Sequence, residues 1–290
     1  MLVQHKPKSK NFAISGMRLL LLTGLVLGGC QPLHPAASLA PSAVKVRFLL
    51  TFDDGPSIRT DYNPTLAILE QLARNDVQNG IKGIFFVQTR NSNGGGSEDG
   101  KTVMRFTSAQ GHVLGLHSAE PAGHVKHVGM EIERLHESLG NGIDDIRQIT
   151  GSNPEFLRPP GSLFNAETQE LYRELGLKML LSDINAHDGV IHVFNVSLRR
   201  RSHMRSELSR VYEEEGLHRL PVVHGVIPLV VTFHDVNTYT AWHFTEYLHI
   251  LVEQAVDVGL PLAAKPFFDQ TGEIIEAARY RAVLPLITAK

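Results

Sequence analysis

Residues 49–57 read Leu-Leu-Thr-Phe-Asp-Asp-Gly-Pro-Ser, and this stretch decides the fold. Residues 44–50 alternate and then run apolar, which predicts a buried strand. The Gly-Pro pair ends the strand at once, so the carboxylates Asp53 and Asp54 are expected at its C-terminal edge. Chemistry in α/β folds and barrels is concentrated at that edge. Neighbouring strand side chains point in opposite directions, so we expect the two carboxylates to have different tasks. A solvated Asp-Gly turn is the alternative interpretation.

The N-terminal 29 residues predict an export signal. Basic residues precede the apolar run Leu19–Val26, and no acidic residue occurs before Cys30. The run is too short to span a bilayer. Residues 27–30, Leu-Gly-Gly-Cys, resemble the bacterial lipoprotein box, in which the cysteine is lipidated. We therefore expect a signal over 1–29 and a lipidated cysteine with a flexible tether over 30–43. A plain signal peptide with an incidental cysteine is the alternative.

The composition narrows the class of protein. Without residues 1–29 the chain keeps 24 basic and 30 acidic residues, a net charge of −6, which excludes a nucleic-acid partner. Cys30 is the only cysteine, so neither a disulfide framework nor a cysteine nucleophile is expected. The residue after it is glutamine, which by resemblance to lipoproteins indicates the outer membrane, with the protein facing the periplasm. The remaining 261 residues fit one large α/β domain, which we assign to 44–290.

Predicted strands and helices alternate along this domain. A helix begins at Asn63-Pro64, with Leu66, Leu69 and Leu72 on one face and Gly80 as its stop. Further strands are predicted at 83–87, 113–117, 155–157, 179–183 and 229–233. Further helices are predicted around 132–139, at 166–175 and, as the last helix, at 244–258. Residues 91–100 are interpreted as a flexible loop, and 190–227 show no clear period. Repeated βα units predict a parallel sheet that is closed or nearly closed into a barrel.

Polar side chains gather where the predicted strands end. One strand ends at His117, with His124 and His127 just beyond it, and another ends at Arg158. Asp188 and His234 follow two later strands. A single histidine at a strand end is more often structural than functional. The carboxyl ends of parallel strands share one edge of the sheet. Polar residues after four of these strands, together with the aspartate pair, therefore favour a functional site at that edge.

Five segments together resemble the polysaccharide deacetylase family, the NodB-homology enzymes similar to carbohydrate esterase family 4. They are residues 51–56, 111–118, 158–161, 182–188 and 233–235. The resemblance extends over roughly residues 44–265. It implies an α/β fold of the distorted (β/α) barrel type, a divalent metal that is usually zinc, and hydrolysis of N- or O-acetyl groups on glycans.

The resemblance also implies catalytic roles. Asp53 would be the general base, with Arg158 beside it to compensate its charge and fix its direction. His234 would be the general acid, because an imidazolium readily gives up a proton near neutral pH. Asp188 would accept a hydrogen bond from that ring and keep it charged.

The implied metal ligands include a departure from the family. Asp54 and His117 match two ligand positions. The family's second histidine lies four residues after the first, where this chain has Pro121, which cannot bind a metal. The third ligand must then come from later in the loop, with His124 as first choice and His127 as the runner-up.

These observations predict a lipid-anchored, metal-dependent hydrolase that removes acetyl groups from an envelope or extracellular glycan. Polymers of N-acetylglucosamine are the expected substrate class, and the membrane is contacted through the lipid anchor. Two alternatives stay open. One is a different amide or ester hydrolase on the same scaffold. The other is a non-catalytic glycan-binding lipoprotein whose metal site is lost through Pro121.

Overall fold

The computed structural model describes residues 44–189, 197–214 and 216–282. The predicted signal, Cys30 and the tether lie outside the described residues. Within the described part, no helix is both long enough and apolar enough to cross a membrane.

In the part of the chain that the structure describes, eight parallel strands form one sheet. Their bounds are β1 Lys45–Asp53, β2 Gly83–Gln88, β3 Val113–Ser118, β4 Phe156–Leu157, β5 Lys178–Met179, β6 Ile184–Asn185, β7 Val226–His234 and β8 Leu262–Phe267. The order is β5-β4-β3-β2-β1-β7-β6, and β8 pairs with the beginning of β1. The two ends of this order, β5 and β6, are two-residue strands that follow one another in the chain. The sheet therefore curves into a half-barrel, in agreement with the predicted distorted α/β barrel.

Eight α-helices accompany the strands within the described residues. Their bounds are α1 Pro64–Ala73, α2 Glu98–Ala109, α3 Ile132–Thr150, α4 Ala166–Glu174, α5 Arg200–Ser209, α6 Thr238–Trp242, α7 Phe244–Asp257 and α8 Thr271–Arg281. Polar side chains cap several N-termini: Asn63 accepts from the Leu66 amide, and Asn165 forms a capping box with Thr168.

Side chains of β1 alternate between two environments. Val46, Phe48, Leu50 and Phe52 pack outward into the large core between sheet and helices. Leu49 points inward, into a smaller core inside the barrel that includes Ile84, Phe86, Phe156, Leu180 and Val230. Because side chains alternate along a strand, the inward direction of Leu49 is shared by Thr51 and Asp53. The site thus lies at the C-terminal mouth of the barrel, directly above its inner core.

Helix α8 fills the other end of the barrel. Ile274, Ala277 and Ala278 are fully buried and pack into the inner core with Leu49 and Phe86. The prediction that the helix over 244–258 is the last one was wrong, because β8 and α8 follow it. The small side chains of α8 allow its backbone to approach the strands closely, and such a face gives only a weak apolar period in the sequence.

Two predictions in the first part of the domain are corrected. Helix α1 ends at Ala73, well before Gly80, and Leu66 is 39% exposed while Ile68 joins the buried face. Residues 91–97 are a hydrogen-bonded turn rather than a flexible loop, with the Gly94 and Gly96 amides both donating to the Asn91 carbonyl, and residues 98–100 already belong to α2. Ser97 then caps α2, which the glycine-rich sequence had concealed.

Two predictions in the second part also change. The strand expected at 179–183 is divided into β5 and β6, because the Leu180 amide bonds to β4 and the Asp183 amide bonds to β7. The segment without a clear period, 190–227, contains α5, which packs against α7 with buried Met204 and Leu208.

Candidate active site

Two neighbouring strands present the site in register. Thr51 of β1 is paired with Thr232 of β7. Two residues further along each strand, on the same face, Asp53 is paired with His234. Both pairs point into the barrel. The side chains therefore form two layers, a hydroxyl layer below and a carboxylate–imidazole layer at the mouth.

Arg158 joins these two layers from the end of β4. Its side chain is 1% exposed, and Nη1 lies 2.9 Å from Asp53 Oδ1, 2.7 Å from Thr51 Oγ1 and 2.8 Å from Thr232 Oγ1. Its Nε donates to the Leu180 carbonyl at 2.9 Å. A buried guanidinium needs a carboxylate partner, and this one binds Asp53. The pairing fixes the direction of the Asp53 carboxylate, which is only 6% exposed.

Asp54 leaves the strand geometry. Its φ of +74° lies in the left-handed region, which is rare outside glycine and is found at functional sites. Its Oδ1 lies 3.3 Å from His117 Nε2 and 3.9 Å from His124 Nε2. Burial raises the pKa of Asp54, but the contact with His117 and the nearby His234 and His124 outweigh it and lower the pKa to about 2. The two aspartates thus face different partners, and a left-handed turn contributes to this separation as well as strand alternation.

A β-bulge directs His117 toward Asp54. In the pairing of β2 with β3, Val87 faces Leu116 and Gln88 faces Ser118, so His117 is the extra residue. Its Nδ1 lies 2.7 Å from the Arg158 carbonyl. A carbonyl only accepts, so Nδ1 donates and Nε2 carries the lone pair in the neutral ring.

The lone pair on His117 Nε2 shows whether a metal ion would suit this site. His117 Nε2 is buried and without a hydrogen-bond partner in the described structure, and it faces an oxygen of Asp54 that can also only accept. Only a proton on Nε2 or a metal ion can stabilise the approach of these two atoms, and a third donor beside them, His124, favours a metal ion. We call Asp54, His117 and His124 the donor triad, since one donor atom from each lies within 4.8 Å of the others. Oxygen and imidazole donors suit zinc and related divalent ions.

The structure separates the two candidates for the third ligand. His124 belongs to the donor triad, and its side chain is 48% exposed at the mouth. His127 is buried, with Nδ1 2.7 Å from the Tyr172 hydroxyl, and burial lowers its pKa to about 3. Glu120 accepts a hydrogen bond from Arg134 instead. Of the polar residues in this loop, the geometry brings His124 to Asp54.

His234 faces the triad from β7. Its Nδ1 lies 2.8 Å from Asp188 Oδ1, while Asp188 Oδ2 accepts from the His234 amide at 2.9 Å and from Thr240 at 2.8 Å. Burial lowers the pKa of His234, but the hydrogen bond and charge of Asp188, with Asp53 and Asp54, outweigh it and raise the pKa to about 9. The ring is therefore an imidazolium at neutral pH.

Sequence reasoning missed several contributors. Gln88 donates to Asp54 Oδ1 at 2.8 Å, and Thr51 and Thr232 hold Arg158. Asp235 belongs to the 233–235 segment but was given no role; it is fully buried near the site, where burial raises its pKa to about 7 and Thr65 donates to its carboxylate. Gln88 could have been found, since it is the first polar residue after an apolar strand. The threonines lie two residues before Asp53 and His234, which is the inward period of a strand.

Part of the sequence matches a known protein family. Residues 42–180 match the model of the polysaccharide deacetylase family. The matched segment contains Asp53, the donor triad and Arg158.

Solved structures share the fold. The chitin deacetylase of Colletotrichum lindemuthianum is 19% identical with a TM-score of 0.56, over 84% of this chain and 93% of that chain. A peptidoglycan deacetylase of Bacillus subtilis is 20% identical, with a TM-score of 0.51, over 83% of this chain and 95% of that one. A family 4 acetyl xylan esterase of Clostridium thermocellum, bound to cobalt, is 18% identical, with a TM-score of 0.52, over 79% and 90%.

Residues 42–180 thus resemble the polysaccharide deacetylase family, and the half-barrel is the fold of the deacetylases and the esterase compared above.

Proposed function

We propose that this protein is a metal-dependent deacetylase that removes acetyl groups from N-acetylated sugars of an envelope or extracellular polysaccharide. The observation that carries the proposal is the convergence of Asp54 and the unpartnered Nε2 of His117, with His124 beside them. This triad lies between a carboxylate paired with Arg158 and an imidazolium paired with Asp188. The fold shared with chitin and peptidoglycan deacetylases supports the substrate class.

The surrounding residues supply the proton transfers of amide hydrolysis. A divalent ion held by the donor triad would polarise the acetyl carbonyl and acidify a water. Asp53, oriented by Arg158, accepts the proton of the attacking water as its oxygen bonds to the carbonyl carbon. His234 donates a proton to the sugar nitrogen as the carbon–nitrogen bond breaks, leaving acetate and a free amine.

The protonation of His234 favours an amide over an ester. An amine leaves only after its nitrogen is protonated, whereas the alkoxide of an ester depends less on an acid. Asp188 contributes most to raising the pKa of His234, which is about 9. The ring therefore remains protonated, and available as an acid, across the neutral pH range. This arrangement suits an N-acetylated sugar better than an O-acetylated one.

Acetate release tests the proposal. Protein stripped with a chelator is reloaded with Zn²⁺ and given N-acetylchitooligosaccharides, peptidoglycan fragments or acetylated xylan. We expect acetate from the N-acetylated substrates only after reloading. Acetate from xylan alone would establish an esterase on the same scaffold. Absence of both bound metal and acetate release would establish the non-catalytic alternative.

We propose further that the domain is tethered to the bacterial outer membrane, facing the periplasm, through a lipid on Cys30. The support is the apolar run before a Leu-Gly-Gly-Cys segment. Two or more acyl chains give stable anchoring, so Cys30→Ala should move the protein out of the membrane fraction or leave it unprocessed. An unchanged membrane fraction, with no lipid on wild-type Cys30 by mass spectrometry, would contradict the anchor.

A further inference from the structure

Gln88 contacts the site through both its backbone and its side chain. It ends β2 and is 4% exposed. Its amide N–H donates to the Gly55 carbonyl at 2.8 Å, and its Nε2 donates to Asp54 Oδ1 at 2.8 Å. A carboxylate only accepts, so the side-chain amide has one possible orientation, with Oε1 directed away from Asp54. That Oε1 accepts from Asn91 Nδ2 at 2.8 Å. The left-handed Asp54 turn is therefore held at two points by one residue.

The turn that carries His124 is packed against the same two amides. Gly123 has a φ of +79°, and its amide donates to the Glu120 carbonyl at 2.8 Å. A Cβ at Gly123 would lie 2.4 Å from Gln88 Oε1 and 2.6 Å from Asn91 Nδ2. Both distances are far below contact distance, so a Cβ at this position would displace the two amide groups that contact each other and support Asp54.

We propose that Gln88 is a positioning residue that aligns two members of the donor triad at once. It orients Asp54 through its Nε2 and, with Asn91, forms the platform on which Gly123 places His124. The inference rests on the proposed metal site and adds the device that allows this chain to use a ligand from a longer loop.

The physical need for this platform comes from the loop itself. The side chain of His124 is about half exposed, so little packing restrains it. The His124 ring centroid nevertheless lies 5.4 Å from that of His117, over the end of β3. Ordering an exposed side chain costs conformational entropy, and a backbone seated at the preceding residue reduces that cost.

Cobalt binding to the purified full-length protein tests the proposal, with the Kd and the d–d absorption as readouts. Gln88→Met keeps length but removes the donor, and we expect the Kd to rise about 10- to 100-fold, as for other residues that orient metal ligands. Gln71→Met is the matched control, since Gln71 donates to the Ala241 carbonyl, away from the triad. Its Kd should stay within about twofold of wild type.

Glycine substitutions test the platform. Gly123→Ala should raise the Kd by about 10- to 100-fold and alter the cobalt spectrum. Gly129→Ala is the matched control, because Gly129 has a φ of +87° but nothing within 4 Å of an added Cβ. It carries the same backbone strain without the collision, so its metal Kd should change little.

A double-mutant cycle decides whether the two effects share one contact. Gln88→Ala removes one of the two atoms that a Cβ added at Gly123 would meet and frees the other, Asn91 Nδ2, from its hydrogen bond. The Kd of the double variant should therefore be no higher than that of the single variant that binds cobalt less tightly. Multiplied defects, or equal defects in Gly123→Ala and Gly129→Ala, would overturn the platform. If wild-type protein binds no cobalt, the proposed metal site fails as well. If it binds cobalt and Gln88→Met changes neither readout, the positioning role alone fails.

Discussion

At the scale of single residues, the site separates two adjacent carboxylates by partner. Asp53 stays on the strand, points into the barrel and is bound by Arg158. Asp54 adopts a left-handed conformation and faces two imidazoles. One carboxylate is thus compensated by a fixed guanidinium, while the other is open to an added cation.

This separation gives the first prediction. Asp53→Asn should leave bound metal unchanged but lower kcat by about 10²- to 10⁴-fold, because an amide cannot accept the proton. Asp54→Ala should instead lose the metal. Metal content and acetate release are measured on both, with Asp76→Asn as control, since Asp76 pairs with His249 at the surface. Full metal and full activity in both variants would show that the two-role assignment is wrong.

The pH profile gives the second prediction. His234 acts as an acid only while protonated, so kcat/KM should fall as pH rises through the pKa of this ring. The hydrogen bond and charge of Asp188 contribute most, ahead of Asp53 and Asp54, to raising that pKa to about 9 against burial. Asp188→Asn removes this charge, so the alkaline limb should move to lower pH. An alkaline limb at the same pH in Asp188→Asn would mean that another group is the acid. Metal content serves as the control measurement.

At the scale of elements, a bulge and a long loop assemble the donor triad. The bulge at the end of β3 directs His117 toward Asp54, and the turn at Gly123 returns His124 to the same point. A second histidine ligand four residues after His117, on the same helical face, is not possible in this chain because Pro121 occupies that position.

The third prediction compares the two histidines of this loop. His124→Ala should reduce metal occupancy about as much as His117→Ala. His127→Ala should keep the metal but lower the free energy of unfolding by about 1–3 kcal/mol, because the buried Tyr172 hydroxyl loses its partner. Metal analysis and urea unfolding measure the two effects. His249→Ala is the control for His124→Ala, because the side chains of His249 and His124 are similarly exposed. A site emptied by His127→Ala and filled in His124→Ala would reverse the assignment.

The sequence predicted some elements better than others. The strand over 113–117 and the helix from Ile132 have clear periods and agree with β3 and α3. Helix α2 was missed because glycines occupy the turn before it, and α8 because its buried face is made of small residues. Glycine and alanine contribute little to an apolar period, although both allow close packing.

At the scale of the whole molecule, stability and chemistry occupy opposite faces of the same strand. Outward side chains of β1 pack under the helices, and inward ones lead from the inner core to the site. Phe52 is fully buried on the outward face, with its ring centroid 4.5 Å from that of Phe85 and 5.5 Å from that of Phe244. The neighbouring residues on each side of it are Thr51 and Asp53.

The fourth prediction follows from this division. Phe52→Ala should lower the free energy of unfolding by about 3–5 kcal/mol through the cavity that it leaves. The metal Kd of the folded protein should change little, because Phe52 faces away from the donor triad. Phe106→Ala, at a 46% exposed position, should cost less than about 0.5 kcal/mol. A loss below about 1 kcal/mol for Phe52→Ala, measured by urea unfolding, would contradict the assigned core.

The sequence by itself determined the parallel α/β class, the strand ends that carry polar residues and the candidates for each task. These are local properties, since period and turn chemistry extend over a few residues. The tertiary structure alone decided that His124 rather than His127 meets Asp54, and that Gln88, Thr51 and Thr232 support the site. Those contacts depend on strand register, on a bulge and on which loop atoms can approach without collision. Such distances are set by packing between segments far apart in the chain, and no local pattern encodes them.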